Sequence, residues 1–151
     1  MALSSRTAAA IHALTMLARW EGSLTSAEIA DSLVSNPVLV RRILGSLRDA
    51  GLVRSTEGRG GGWTLARPPG DITLYDAYTA VEDGPILTRH AHPPSDTCDV
   101  GRHMRALLDA EFRAAEQAME ERLGRTTIAH LVQQVLAKGR ELAREESLRT
   151  T

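Results

Sequence analysis

Residues 25–66, TSAEIADSLVSNPVLVRRILGSLRDAGLVRSTEGRGGGWTLA, decide the fold of this chain. Thr25 and Glu28 have the spacing of a capping box, in which the two residues satisfy each other's hydrogen bonds at the start of a helix. Asn36 and Pro37 mark the start of a second helix, because asparagine caps helices and proline is favoured at the first helical position. The spacing predicts helices of about eight and fourteen residues joined by a turn of about three, the layout of a helix-turn-helix.

The second of these helices is predicted to have one apolar face and one face of small or basic residues. The residues expected to point inward are Leu39, Ile43 and Leu47, with Val40 and Leu44 beside them. The residues expected to point outward are Val38, Arg41, Arg42, Gly45 and Ser46. Gly51 can end the helix in a left-handed conformation. A plain bundle of three helices would show the same pattern, so the residues after Gly51 decide between the two.

A glycine-rich hairpin is predicted to follow this helix, with strands at Leu52–Thr56 and Trp63–Ala66 and a tip at Glu57–Gly62. The glycines of the tip superficially resemble a dinucleotide-binding loop, but such a loop leads into a helix and here a strand follows. An ordinary flexible hairpin is the simpler alternative. We favour a wing, in which the glycines let the backbone approach phosphate and Arg59 enters the minor groove.

Two further helices are predicted to complete this domain, which spans residues 1–82. Ser4 or Ser5 can cap a first helix running to about Trp20, and Thr73 can cap a helix that runs through Val81. The apolar face of the first helix is expected to contain Ala10, Leu14, Leu17 and Ala18. The fold class is therefore mainly α with a small β wing, a winged helix-turn-helix.

A long helix is predicted after a proline-containing loop at residues 83–97. An apolar stripe runs along about 25 residues, a length of about 37 Å: Val100, Met104, Leu107, Leu108, Phe112, Ala115, Met119 and Leu123. This helix has few partners in its own chain, so we expect it to pair with a twin, although it could fold back on its own core. Thr126 or Thr127 can cap a last helix, which is expected to contact either the first helix or the partner. Residues 98–138 are thus predicted to be dimerisation helices and residues 139–151 a charged tail, fraying from about Glu141.

Composition restricts the class of protein. The chain of 151 residues has a net charge of −1, but residues 1–70 have a net charge of +3 and residues 71–151 of −4. A DNA-facing first half would show this asymmetry, and so would ordinary surface variation. One cysteine, Cys98, excludes an intramolecular disulfide framework and fits a reducing compartment. No segment has the composition of a membrane span or signal peptide, so we expect a cytoplasmic protein.

These motifs together resemble the Rrf-two family, the bacterial family of iron-sulfur, nitric-oxide and cysteine-metabolism repressors. The resemblance rests on the following segments: Leu3–Arg6, Asn36–Ser55, Gly58–Pro69, Ile72–Leu74 and Ala80–Glu82. It implies a homodimer that crosses through the long helix and binds double-stranded DNA, with a palindromic operator and repression as the expected mode. The DNA contacts that it implies are Asn36, Val38, Arg41 and Arg42 in the third helix and Arg59, Gly60, Gly61 and Gly62 in the wing.

The sensing region departs from the family members that hold a cluster, which have three cysteines there. A cluster needs about four strong ligands, so an iron-sulfur cofactor is not expected unless its ligands are unusual or shared across a dimer. His90, His92, Cys98 and His103 are weak candidates for a metal site, because their spacing matches no known metal motif. We expect Cys98 to be either a redox sensor or a structural cysteine. The start of the long helix and Arg102, one turn later, would both lower its pKa. The effector could equally be a small ligand or a protein.

An enzyme is not expected, because the sequence contains no activated nucleophile, paired carboxylates or metal motif. The alternative function is a protein-interaction module of the same fold that has lost DNA binding. The exposed arginines of the third helix and the intact wing argue against that alternative. Salt-dependent affinity for DNA would separate the two, since neutralising phosphates makes binding weaken steeply with salt.

Overall fold

A computed structural model describes residues 3–149 of the chain, with side chains from Ser5 onward. Its elements in chain order are α1 (Leu3–Arg19), α2 (Ser26–Leu33), α3 (Pro37–Asp49), β1 (Val53–Thr56), β2 (Gly62–Leu65), a 3-10 helix (Pro69–Asp71), α4 (Leu74–Val81), α5 (Asp99–Gly124) and α6 (Ile128–Arg149). The strands form an antiparallel hairpin in which Val53 pairs with Leu65 and Thr56 with Gly62. The fold is therefore mainly helical with a small β hairpin, as predicted. No helix among the described residues is both long and apolar enough to cross a membrane.

The helix-turn-helix begins and ends where the capping residues predicted. The Thr25 hydroxyl accepts a hydrogen bond from the backbone N–H of Glu28 at 3.2 Å, and the Glu28 carboxylate accepts one from the Thr25 N–H at 2.7 Å. Asn36 caps α3, Pro37 is its first residue, and Gly51 follows its end with a φ of +74°. A three-residue turn, Val34 to Asn36, joins α2 to α3. The predicted helix-turn-helix is confirmed.

The core lies among α1, α2, α3 and α4 and is closed by the start of β1 and of α6. Its fully buried large side chains include Leu14, Leu44, Leu47, Ile72 and Ile128. At the rim, the buried Glu82 carboxylate accepts a hydrogen bond from the Thr7 hydroxyl at 2.8 Å, which ties the end of α4 to α1. Burial of this apolar set fixes which face of α3 is left for solvent.

The inward orientation predicted for Leu39 is wrong, since this side chain is 43% exposed. The buried row consists of Val40, Ile43, Leu44 and Leu47. Successive residues are separated by about 100° around a helix, so Leu39 lies about 90° from the centre of that row. The prediction placed the centre of the apolar face about half a residue too far toward Leu39.

Several boundaries differ from the prediction, and three of them bear on the fold or the tip. Neither Ser4 nor Ser5 caps α1, because α1 begins at Leu3 and contains both in its first turn. Gly62 belongs to β2 and not to the tip of the hairpin. The tail does not fray from Glu141, since α6 continues to Arg149. Residues 140–149 contain neither glycine nor proline and are rich in Arg, Glu, Leu and Ala, which favour helix. Thr127 caps α6 as predicted, accepting a hydrogen bond from the His130 N–H at 3.2 Å.

Residue contacts divide the chain into two units. The first contains the described residues up to Glu82 together with those from Gly124 onward, so α6 contacts α1, one of the two partners expected for it. The second runs from Asp83 to Leu123 and contains the predicted loop and nearly all of α5. Within it the loop is anchored on α5: the Ile86 N–H donates to Glu116 at 3.2 Å, and Arg89 pairs with Asp109. The sequence predicted the loop but not this docking.

We expect Leu47→Ala to lower the free energy of unfolding by about 2–5 kcal/mol, because it empties a fully buried site. Leu39→Ala is the matched control on the same helix and should cost about 1 kcal/mol or less, because Leu39 already contacts water. Urea denaturation followed by circular dichroism measures both. Equal losses would show that the burial of α3 described above is wrong.

Candidate nucleic-acid interface

The outer face of α3 exposes two adjacent arginines. Arg41 and Arg42 are both exposed, and Val38, one turn before Arg42, is 50% exposed. The Arg41 Nε donates to the backbone oxygen of Pro37 at 3.4 Å, and its terminal guanidinium nitrogens have no partner among the described residues. These residues share one face because the opposite face is buried in the core. The predicted contact residues of α3 are therefore brought together on an exposed, cationic surface.

Asn36 lies at the edge of this surface and also stabilises the start of α3. Its side-chain oxygen accepts a hydrogen bond from the Val38 N–H at 2.7 Å and so caps α3. The amide NH₂ group remains as the donor that this side chain can offer to a ligand. Asn36 therefore both starts α3 and can donate a hydrogen bond in front of it.

The hairpin is built so closely that only glycine fits at two positions, one in its tip and one at the start of β2. A Cβ atom on Gly61 would lie 2.3 Å from the backbone oxygen of Thr56, and one on Gly62 would lie 2.7 Å from that of Leu24. A tight turn forms where the Gly61 N–H donates to the Gly58 oxygen at 3.0 Å. Arg59 lies inside this turn, is exposed, and makes no hydrogen bond or ion pair with any described residue. The hairpin thus presents, on a tight turn, one cationic side chain that no described residue pairs with.

The hairpin is tied to the segment that precedes α2. Leu24 and Trp63 exchange two backbone hydrogen bonds of 2.7 and 3.1 Å, and the indole N–H of Trp63 donates to the Ser26 hydroxyl at 3.2 Å. The Ser23 hydroxyl adds a hydrogen bond to the Gly60 oxygen at 3.0 Å. Sequence reasoning missed this attachment, because it joins residues about forty apart that no periodic pattern relates. It fixes the position of the tip relative to α2 and α3.

Arg54 is a further exposed cation that sequence reasoning missed. It lies on β1, and its Nε donates across the hairpin to the Thr64 hydroxyl at 3.2 Å. Arg54 directly follows the buried Val53, and because successive strand residues point to opposite faces, this position was the signal that could have identified it. With Arg41, Arg42 and Arg59 it makes the exposed part of α3 and the hairpin positively charged. Such a surface attracts the phosphates of nucleic acid.

Cys98 directly precedes α5 in the second unit and is exposed. The backbone N–H groups of Gly101 and Val100 donate to its sulfur, and these hydrogen bonds lower the pKa of the thiol. The predicted effect of the helix start is confirmed. Arg102, which was also predicted to lower this pKa, is not among the causes of the shift, and its Nε donates to the backbone oxygen of Asp96 at 3.0 Å. The lowered pKa and the exposure together favour a reactive thiolate.

A helix-turn-helix followed by a glycine-built hairpin with a cationic tip defines the class of winged-helix transcriptional regulators. Comparison with known families makes this specific. The chain matches the Rrf2 family, described as "Iron-dependent Transcriptional regulator", over residues 3–134, and it belongs to this family. The family resemblance stated from the sequence, to the Rrf-two family, is confirmed.

Relatives and solved structures agree with this assignment. YwnA of Bacillus subtilis (strain 168), named as an HTH-type transcriptional regulator, is 38% identical over 122 residues, which cover 80% of this chain and 90% of YwnA. The crystal structure of a transcriptional regulator from Lactobacillus plantarum has a TM-score of 0.73 at 27% identity, covering 94% of this chain and 97% of its own. T. potens IscR shares the fold, with a TM-score of 0.66 at 23% identity, covering 87% of this chain and 85% of its own.

The residues of this chain do not fit the iron dependence in the family description. An iron-sulfur cluster requires about four strong ligands, and the chain has one cysteine. Between Leu3 and Arg149, no group of three or more His, Cys, Asp or Glu side chains is placed to hold a metal ion. The weak candidates for metal ligands, His90, His92 and His103, are exposed. Among the described residues they form no metal-binding group with Cys98.

Alkylation of Cys98 should occur at lower pH in the folded protein than in the unfolded chain. The hydrogen bonds to its sulfur stabilise the thiolate, so the midpoint of the rate against pH should shift downward. The reaction rate with iodoacetamide, measured across pH with and without denaturing urea, tests this shift. Identical midpoints would show that the hydrogen bonds at the start of α5 do not form in solution.

Proposed function

We propose that this protein is a homodimeric regulator that binds double-stranded DNA through α3 and the wing and represses transcription at a palindromic operator. The observation that carries the proposal is Arg59, held on a glycine-built tip with no partner among the described residues, beside the exposed arginines of α3. Arginine in this position suits the narrow minor groove, whose potential is strongly negative. Repression is the expectation that follows from the family.

Each contact residue has a role that its chemistry supports. Arg41 or Arg42 can form a bidentate pair with the O6 and N7 atoms of guanine in the major groove. Asn36 can donate its amide, and Val38 can supply an apolar contact. Gly60, Gly61 and Gly62 carry no side chain, so the backbone of the wing can approach a phosphate closely. Arg54 would add a phosphate contact that increases affinity without selecting sequence.

The long helix α5 supports the dimer. It has 26 residues, about 39 Å at 1.5 Å per residue, and none of them is buried in the single chain. The predicted apolar stripe on one face includes Leu107, which is 61% exposed, and Val100, which is 62% exposed. Apolar surface of this extent is usually covered by a partner. A two-fold dimer would present two copies of α3 to successive major grooves, which is why we expect a palindromic operator.

Cys98 is the residue that we propose to couple DNA binding to redox state. Peroxide would convert its thiolate to a sulfenic acid, and condensation with the thiol of the second Cys98 in a dimer would form a disulfide and release water. A new bond at the start of α5 could change the spacing of the two α3 helices. The exposure and the lowered pKa of Cys98 support this role, and a purely structural cysteine needs neither property.

Arg59→Ala should weaken binding to the operator more than tenfold while leaving dimerisation intact, because it removes only the cation at the tip of the wing. Arg140→Ala, which removes an exposed arginine from α6, is the matched control and should bind like the unmodified protein. Fluorescence anisotropy with labelled duplexes measures both. Unchanged affinity of Arg59→Ala would remove this role, and affinity insensitive to both Arg59 and salt would favour the protein-interaction module.

Leu107→Glu should convert the dimer to a monomer, because it places a charge in the apolar stripe that the partner is proposed to cover. Ala106→Glu places the same charge on the opposite, exposed face of α5 and should leave the dimer unchanged. Light scattering after size-exclusion chromatography gives the mass of each variant. A dimer that survives Leu107→Glu would contradict dimerisation through this stripe.

Cys98→Ser should bind DNA with the same affinity before and after mild peroxide treatment, whereas the unmodified protein should lose affinity. The serine hydroxyl cannot form a sulfenic acid, so the switch is absent. Titrations of both proteins with and without peroxide provide the comparison. A response retained by Cys98→Ser would exclude the thiol from sensing and direct attention to a ligand or a protein effector.

A further inference from the structure

Val34 has an unusual backbone conformation in the turn of the helix-turn-helix. It is the C-cap of α2, with φ of 49° and ψ of 50°, which is the left-handed region. Across residues 3–149 it is the one non-glycine residue with a positive φ. Left-handed conformation is unfavourable for L-residues and most of all for β-branched ones, and glycine or asparagine usually occupies such caps.

The fold gains almost nothing from the Val34 side chain. The residue is 92% exposed, so its methyl groups make little contact with the core. A glycine would give the same backbone without the steric strain. A strained residue whose side chain the fold does not use suggests a contact outside the chain.

Two further exposed apolar residues lie close to Val34 in sequence, at the start of α3. Val38 and Leu39 are 50% and 43% exposed, so three large apolar side chains reach solvent within six residues. We refer to Val34, Val38 and Leu39 as the turn patch. Arg42 lies one helical turn after Val38, so the patch adjoins the cationic face of α3.

We propose that the turn patch reads thymine by contacting its 5-methyl group in the major groove. This inference rests on the proposed DNA binding and adds the kind of base recognised. The N-terminal residues of the second helix contact base edges in a helix-turn-helix complex. Those edges consist of polar donors and acceptors except for the methyl group of thymine, which apolar side chains contact. The arginines beside the patch would contact guanine and phosphate, and the patch would contact the methyl group of thymine.

Replacement of thymine by deoxyuridine tests this directly, because it removes the methyl group and keeps every hydrogen bond. A binding site is first recovered with the full-length protein from a pool of random duplexes, and each thymine is then replaced in turn. At one or two thymines per half-site the affinity of the unmodified protein should fall about fourfold, the effect of losing one buried methyl-sized group. Recovered sites without a fixed thymine, or tolerance of uracil at every position, would overturn the proposal.

Val34→Gly and Val38→Ala show whether the patch makes the contact. If it does, the variants should bind thymine and uracil sites equally at the sensitive position, because the two changes remove the same contact and are not additive. Leu148→Ala, which alters another highly exposed residue, should keep the fourfold preference. A preference that persists in both Val34→Gly and Val38→Ala would assign thymine reading to other residues.

The melting temperature and the molecular mass of Val34→Gly provide two further measurements. Val34→Gly should melt at or near the temperature of the unmodified protein, because it relieves backbone strain and loses no packing. A change in the mass of Val34→Gly without loss of the thymine preference would show that the patch contacts a second copy of the chain, contrary to the proposal. Failure to recover any site would instead overturn DNA binding itself, and the two failures are therefore distinguishable.

Discussion

Burial of one row of side chains on α3 is the constraint on which the rest of the interface depends. Val40, Ile43, Leu44 and Leu47 pack into the core, and a helix can bury only one face against a core of this size. Arg41 and Arg42 must then point to solvent on the same side. The N-cap at Asn36 fixes where the helix begins and so fixes which residues form its first exposed turn. Stability and recognition are thus set by opposite faces of one short helix.

In the wing, backbone contacts likewise both stabilise the fold and fix the position of a proposed DNA contact. Gly61 and Gly62 leave no room for a Cβ atom because the chain passes closely over Thr56 and Leu24. That close passage allows Leu24 and Trp63 to exchange backbone hydrogen bonds, which hold the hairpin on the segment before α2. The tip, with Arg59 on it, is consequently a fixed part of the winged domain. Cys98 lies in the second unit. There the backbone N–H groups at the start of α5 donate to its sulfur and lower the pKa of the thiol.

Local signals made most of the fold predictable. The capping boxes at Thr25 and Thr73, Pro37 after Asn36, and Gly51 placed α2, α3 and α4 within a residue or two, because capping depends on neighbours in sequence. The contact residues of α3 and the wing followed from the same pattern and from family resemblance. The Leu24–Trp63 attachment and the docking of Ile86 on Glu116 could not be predicted, since each joins residues far apart without periodicity. Leu39 was wrongly predicted to point inward because α3 has five apolar residues near one face, and the core buries only four of them.

The measurement that tests the central claim most directly is the affinity of the purified protein for duplex fragments from its own upstream region, determined across a series of salt concentrations. Several arginines that neutralise phosphates release counterions, so log affinity should fall steeply and linearly with log salt concentration. One fragment should also bind at least a thousandfold more tightly than unrelated DNA of equal length, as expected for base-specific contacts. Equal affinity for all fragments, or affinity that does not change with salt, would contradict recognition of DNA by α3 and the wing.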